Sequence, residues 1–226
     1  MARRRRKSPL RWLLPLGAAA IIALTLWTNR SRVEEMLHAR GTDATAAHTL
    51  AAADGAGKHV HVSGKLEAEG PVRDGELGVS ANAAVLIRKV EMFQWRERCT
   101  GDECSYATAW SQQPVDSRRF RHPEGHDNPL PRLRDGVFAA PGLHVGALAV
   151  SADLVARQAV ATDFKVHAAD LPANLAASFS DVEGALYAGG DATKPLVGEV
   201  RVSYRIVAPG NVELDGVQRG SAVAAQ

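Results

Sequence analysis

Two histidine spacings and one cysteine pair are the groups in this 226-residue chain best suited to chemistry. His59-Val60-His61 would alternate along a strand and set both imidazoles on one face, a spacing compatible with metal ligation. His122-Pro123-Glu124-Gly125-His126-Asp127 is denser in ligand types, but its Pro and Gly exclude the helical His-Glu-x-x-His geometry. Either pair needs a third ligand from elsewhere, and each reads more simply as an exposed strand start or a structural turn. Cys99 and Cys104 flank Thr-Gly-Asp-Glu, a turn segment between two strand-like runs. Antiparallel pairing would bring them together as a hairpin disulfide, which an exported location permits. Their spacing is not Cys-x-x-Cys, and no other cysteine exists to complete a thiolate site.

Glu91 and Glu97, six apart on one strand, would stand about 20 Å apart at ~3.3 Å per residue, too far to act on one bond. No serine or cysteine sits in a nucleophile elbow, and no glycine-rich phosphate loop occurs. The expectation is a protein that is not an enzyme, with no catalytic residues, no metal and no cofactor. Two alternatives stand beside it. One is a metal-dependent envelope enzyme using His59, His61, His122 or His126. The other is a lipid- or small-ligand-binding domain whose aromatic strand lines a pocket.

Phe93, Trp95 and Trp110 suit a partner-binding patch, since aromatics dominate interface hot spots, although the simpler reading makes them the core of a sheet. The strand that must position them runs from Val85 to Arg96. In it Ile87, Phe93 and Trp95 share one face, and Leu86, Val90 and Met92 the other. Large apolar groups on both faces predict a central strand covered on both sides. Lys89 and Glu91 interrupt the first face, as a pair or near its open end.

Ser105 to Trp110 reads as the antiparallel return, and Gln112 to Asp135 as a polar, proline-rich loop with a turn at Asp127-Asn128-Pro129. Ala152 to Phe164 has helical spacing with Ser151 as N-cap, and Gly198 to Ile206 is a cleanly alternating strand. The predicted class is α+β, mainly antiparallel β with a few helices, over residues 58–215. Residues 216–226 read as a disordered tail.

Residues 1–11 carry six basic groups and no acid. Removing those six from the 27 Lys and Arg leaves 21 against 25 Asp and Glu, a net −4 over residues 12–226. The basic character is therefore local, and a nucleic-acid-binding face is excluded. Residues 12–28 are uncharged; as a helix at ~1.5 Å per residue they reach about 26 Å, close to a bilayer core. Trp12 and Trp27 suit the two interfaces, and the flanking charge puts the N-terminus in the cytoplasm. A cleaved signal peptide fits less well, because bulky and basic residues follow the run. The expectation is a single-pass anchor at 12–28, a helical or flexible linker at 29–57, and an extracytoplasmic domain.

The strand Arg88-Lys-Val-Glu-Met-Phe-Gln-Trp-Arg-Glu97 resembles the most recognisable motif of the transmembrane protein 43 family, also called LUMA. Val60-His61-Val62-Ser63-Gly64 and Gly78-Val79 before it, and Tyr106, Trp110-Ser111, Phe120, Gly125-His126-Asp127-Asn128-Pro129 and Gly198 to Tyr204 after it, match in order, over roughly residues 30–206. The resemblance implies an N-terminal membrane helix and a large domain outside the cytoplasm, in animals in the lumen of the endoplasmic reticulum and nuclear envelope. There the family is associated with organising membrane-protein assemblies, with no established enzymatic activity.

Family members typically carry further membrane helices after that domain, and their absence here implies a short, single-pass bacterial relative with a periplasmic domain at the inner membrane. The cysteine pair is a second local departure. The motif positions, and candidate partner contacts, are Arg88, Val90, Glu91, Phe93, Gln94, Trp95, Trp110, His126, Asn128 and Pro129. The expected role is a non-enzymatic scaffold or binding domain. Its expected partners are the lipid bilayer through residues 12–28 and other membrane or envelope proteins, with self-association into a homo-oligomer left open.

Overall fold

A computed structural model of the protein describes residues 57–226. The basic N-terminus, the apolar run 12–28 and the expected linker up to residue 56 lie outside the described residues. Among the described residues no helix is long and apolar enough to cross a membrane. The chain opens with β1 (Lys58–Glu67) and an antiparallel ribbon of β2 (Val72–Asp74) and β3 (Val79–Ala81). β4 (Val85–Thr100) turns through Gly101-Asp102 into β5 (Glu103–Ser111), and after a long loop β6 (Gly136–Ala139) returns beside the start of β4. Next come β7 (His144–Val145), β8 (Leu148–Val150), α1 (Ala152–Gln158) and β9 (Thr162–Phe164). α2 (Ala173–Ala176), β10 (Ser180–Val182) and β11 (Ala185–Ala188) precede β12 (Val200–Val207), β13 (Gly210–Arg219) and β14 (Ala222–Ala224). The described domain is mainly β with few, short helices.

Two sheets form. One has the order β10-β11-β12-β4-β5, with β6 beside β4 and β9 beside β12; the other closes as a barrel, β1-β13-β14-β8-β7. β12 is distant in sequence from β4 yet pairs antiparallel with it, setting Val202 opposite Val90 and Tyr204 opposite Arg88. Strand alternation then divides the apolar groups between two cores. Leu86 and Val90 join Val72, Leu186 and Val202 in one; Val85 turns the other way to meet Leu66, Leu154, Leu214 and Val223 inside the barrel. The start of β4 is therefore covered on both faces, as its double apolar pattern predicts. Each such buried aliphatic side chain is worth roughly 1.5–3 kcal/mol.

Two expectations are corrected. Ser151 does cap α1, its Oγ accepting from the Leu154 N–H at 3.3 Å, but the helix ends at Gln158 and not near Phe164. Thr162–Phe164 instead supplies a ladder partner for Tyr204–Ile206, which the sheet needs on that edge of β12. Nor are residues 216–226 a disordered tail. β13 runs on through Arg219, β14 folds back with Ala224 opposite Val217, and Val223 lies parallel to Val150 to close the barrel. The small residues that read as a tail are what closure requires. A Cβ on Gly216 would stand 2.7 Å from the Ala224 carbonyl oxygen and 3.0 Å from a Leu154 methyl.

Candidate functional site

Parity along β4 sorts the motif residues. The even positions Arg88, Val90 and Gln94 point inward and are 4%, 5% and 0% exposed, so these three cannot contact a partner, which corrects that part of the expectation. Arg88 donates to Asp74 at 2.7 Å, to Glu76 at 2.6 Å and, through Nε, to the Arg134 carbonyl at 2.9 Å. Tyr204 donates to the same Asp74 oxygen at 2.8 Å, and the Glu76 N–H donates to its other oxygen at 3.0 Å. Burial disfavours the Arg88 charge, but the Glu76 hydrogen bond and the Asp74 carboxylate together hold its pKa above the ordinary value. Burial, then the hydrogen bond to Asp74, pushes the Tyr204 hydroxyl up as well. This cluster ties β2, β4 and β12 together.

The odd positions Glu91, Phe93 and Trp95 are half-buried on the opposite face. Phe93 meets Trp110 across the strand pair with ring centroids 5.3 Å apart, and Trp110 meets Tyr187 at 6.2 Å. Further along, His126 packs edge-on to Trp95 at 4.8 Å and stacks on Tyr106 at 3.9 Å. Phe93, Trp95 and Trp110 belong to neither core, which corrects their reading as sheet core. The loop around residues 117–129 covers part of this face through the packing of His126 on Trp95 and Tyr106.

That loop is held by side-chain amides. Gln94 donates to the Gln113 carbonyl at 2.8 Å and accepts from the Val115 N–H at 2.9 Å, fixing the start of the loop below the sheet. Asn128 accepts from the Trp95 N–H at 2.7 Å and donates to the Trp95 carbonyl at 3.0 Å. Its own N–H donates to Ser117 Oγ at 2.9 Å. Pro129 is exposed and rides against Gly198, where a Cβ would stand 2.8 Å from the Pro129 ring; the φ of +98° there also favours glycine. Glu97 accepts from the Tyr106 hydroxyl at 2.7 Å and the Arg121 N–H at 2.6 Å, and these two bonds hold its carboxyl below the ordinary range.

Beside Trp110 lies an open groove of about 410 Å³, edged by Glu91, Tyr187, Thr193, Arg201 and Ser203. Arg201 lies 4.8 Å above the Trp110 ring and donates to Glu91 at 2.9 Å; Lys89 approaches the same carboxylate at 3.2 Å, bearing out the expected pairing. Burial alone would raise the Glu91 pKa, but the hydrogen bonds from Arg201 and Lys89 bring it below the ordinary value. Tyr187 donates to Glu199, which also accepts from the Gly190 and Leu196 N–H groups at 2.8 Å each. Burial and that bond push the Tyr187 hydroxyl up to about 12.

Among the described residues neither histidine pair gathers into a three-ligand group. His61 faces Asp215 at 2.8 Å across β1 and β13, His59 meets Gln226, and His126 is engaged with Trp95 and Tyr106. Among the described residues, the single grouping of three potential ligand residues is Glu97 with Cys99 and Cys104. Those cysteines are opposite one another at the hairpin tip and disulfide-bonded, as their spacing predicts. Asp74 and Tyr187 were not singled out in the sequence, and Glu199, Arg201 and Tyr204 were legible only as members of the alternating strand Gly198–Ile206, without their contacts. They meet β4 only through pairings across more than a hundred residues, or through short strands with weak patterns.

A family model described as Transmembrane protein 43 matches residues 91–225. Transmembrane protein 43 of Mus musculus is 33% identical over 112 residues, covering 44% of this chain and 28% of that protein; the Homo sapiens protein is 30% identical over the same shares. The Transmembrane protein 43 homolog of Drosophila melanogaster is 25% identical over 168 residues, 66% of this chain and 42% of that protein. The chain thus spans less than half the length of these curated relatives. No solved structure matches it. On the extent of the family match, which runs from the middle of β4 to the strand that closes the barrel, this chain belongs to the Transmembrane protein 43 family.

Proposed function

We propose that the protein is a membrane-tethered, non-enzymatic binding domain that holds other membrane or envelope proteins, its anchor at residues 12–28 and its β domain in the periplasm. The observation that carries this reading is the half-exposed strip of Phe93, Trp95 and Trp110, set on a strand pair whose reverse side is locked by Arg88 and Gln94. Aromatic side chains on a rigid platform lose little conformational entropy on binding, which makes them efficient anchors for a protein partner. The charge pattern around residues 12–28 supports the placement.

The test is site-directed photocrosslinking in the native membrane, with the reactive group at Trp110 in one full-length variant and at Lys65, on the barrel, in another. Reproducible crosslinks from position 110 to one envelope protein, absent from position 65, are expected. Equal labelling from both positions would remove the proposed face. A second reading, a lipid or small apolar ligand, is favoured by the groove of about 380 Å³ between Val90, Met92, Pro114 and Leu133. Lipid co-purifying in stoichiometric amount would support that reading.

A further inference from the structure

β5 is a nine-residue edge strand, and among the described residues nothing pairs with its outer edge. Natural sheet edges are commonly guarded by lysine, proline, a bulge or a covering segment. Glu-Cys-Ser-Tyr-Ala-Thr-Ala-Trp-Ser has no lysine or proline and a single charge at its end, and its register with β4 is unbroken from Thr100–Glu103 to Met92–Ser111. The outer edge is therefore defined residue by residue. On β4, Phe93 and Trp95 turn their backbone groups away from β5, toward Glu199 and Asn128. Their antiparallel partners, Trp110 and Thr108, must turn theirs away from β4, and so must Tyr106 and Cys104 at the same parity. No hydrogen bond to these outward main-chain groups is present among the described residues.

We infer that this edge accepts an extended segment of a partner protein as an added strand, one that alternates apolar and acidic residues. The side chains on either face of β5 specify that chemistry. On the aromatic face an incoming strand would lie beside Tyr106, Thr108 and Trp110, which suits apolar residues. On the other face β5 presents Ser105, Ala107 and Ala109 between Glu103 and Ser111 at its two ends, and behind the three small residues, on β4, stand Arg98 and Arg96, both exposed and without an ion-pair partner among the described residues. An added strand lies two strand spacings from β4, about 10 Å, and long guanidinium side chains reach across the small residues of β5 toward carboxylates there. Main-chain pairing supplies the affinity and the alternating side chains supply the selectivity. This assignment rests on the binding-domain reading above and names the chemistry of its partner.

The test uses the full-length protein in detergent and two capped nine-residue peptides, Thr-Glu-Val-Glu-Tyr-Glu-Val-Glu-Thr and its counterpart with Lys for Glu. The acidic peptide is expected to slow exchange of the Tyr106, Thr108 and Trp110 amides at least tenfold, and to bind at least tenfold more tightly than the lysine peptide. Thr108→Pro removes an outward N–H that β4 does not use and is expected to abolish binding. Arg96→Glu with Arg98→Glu, both exposed, is expected to reverse the peptide preference even if the proline variant fails to fold. Absence of protection by either peptide would overturn the assignment. So would edge amides already protected without peptide, whether by the chain itself or, rising with protein concentration, by a second copy. Persisting crosslinks from position 110 alongside a failed peptide would sink the edge alone and leave the binding-domain reading intact.

Discussion

The Asn128 carboxamide brackets the main chain of Trp95, accepting from its N–H at 2.7 Å and donating to its carbonyl at 3.0 Å. One residue pair earlier, Phe93 receives the same two contacts from backbone, the Glu199 carbonyl and the Gly198 N–H. Asn128 therefore continues the ladder of β4 where β12 has ended, and a side chain does the work of a peptide group. Asn128→Ala leaves two main-chain groups of Trp95 without partners and is expected to lower stability by about 1–3 kcal/mol. Asn128→Asp should cost at least as much, since a carboxylate cannot donate to the Trp95 carbonyl. Denaturant unfolding with exchange of the Trp95 amide reads both effects, and unchanged protection in either variant would refute the ladder role.

The Arg88–Asp74 pair is buried, so removing one partner strands a charge. Asp74→Ala is expected to cost about 3–5 kcal/mol, while Asp74→Asn with Arg88→Met should cost less than Asp74→Ala alone. Chemical denaturation of the wild type, Asp74→Asn, Arg88→Met and the double variant closes the cycle and measures the coupling. Simple additivity would mean that the two residues are independent.

Glu91 is held below its ordinary value of 4.5 in the folded protein. A depressed carboxylate contributes stability that is complete above the unfolded pKa and is lost as pH falls below it toward the folded value. Glu91→Gln is expected to be less stable at pH 7 by about 1–2 kcal/mol, with a flatter loss of stability below pH 4.5. Parallel acid profiles for the two proteins would argue against this role for the Arg201–Glu91 pair.

All three tyrosines, Tyr106, Tyr187 and Tyr204, have hydroxyls raised above 10.0, Tyr187 to about 12. A raised folded pKa contributes stability that is full below the unfolded value of 10.0 and is lost as pH rises through the folded one. In a Tyr106→Phe background, the tyrosinate absorbance of Tyr187 and Tyr204 is expected to stay flat through pH 10 and to rise together with alkaline unfolding. A normal step near pH 10 in the folded protein would contradict the Tyr187–Glu199 and Tyr204–Asp74 bonds.

The disulfide closes only a four-residue turn segment, so its entropic contribution is small. Cys99→Ser with Cys104→Ser is expected to lose about 2 kcal/mol by the loop-closure relation, with the barrel signals in a spectrum unmoved. A global loss of folding would make the clip a framework element.

Local pattern was enough for several elements. β4 and β5 follow from period-2 alternation on either side of a Gly-containing turn, the Cys99–Cys104 bond from the same hairpin, and the Ser151 cap from its place before α1. These are contacts between near neighbours, which spacing alone specifies. The family resemblance was also legible there, because the β4 motif packs inward and outward constraints into ten consecutive residues.

Tertiary structure decided the rest. Whether Phe93, Trp95 and Trp110 are core or surface depends on what lies above the sheet, and hydrophobicity is the same in both cases. Whether Arg88 is a partner contact or a buried anchor depends on Asp74 and Tyr204, which reach it across 14 and 116 residues of chain. The barrel is the clearest example. Its closure by Gly216–Ala224 needs residues small enough for main chains to approach, and such residues carry no pattern by which sequence can tell a sealed seam from a loose end.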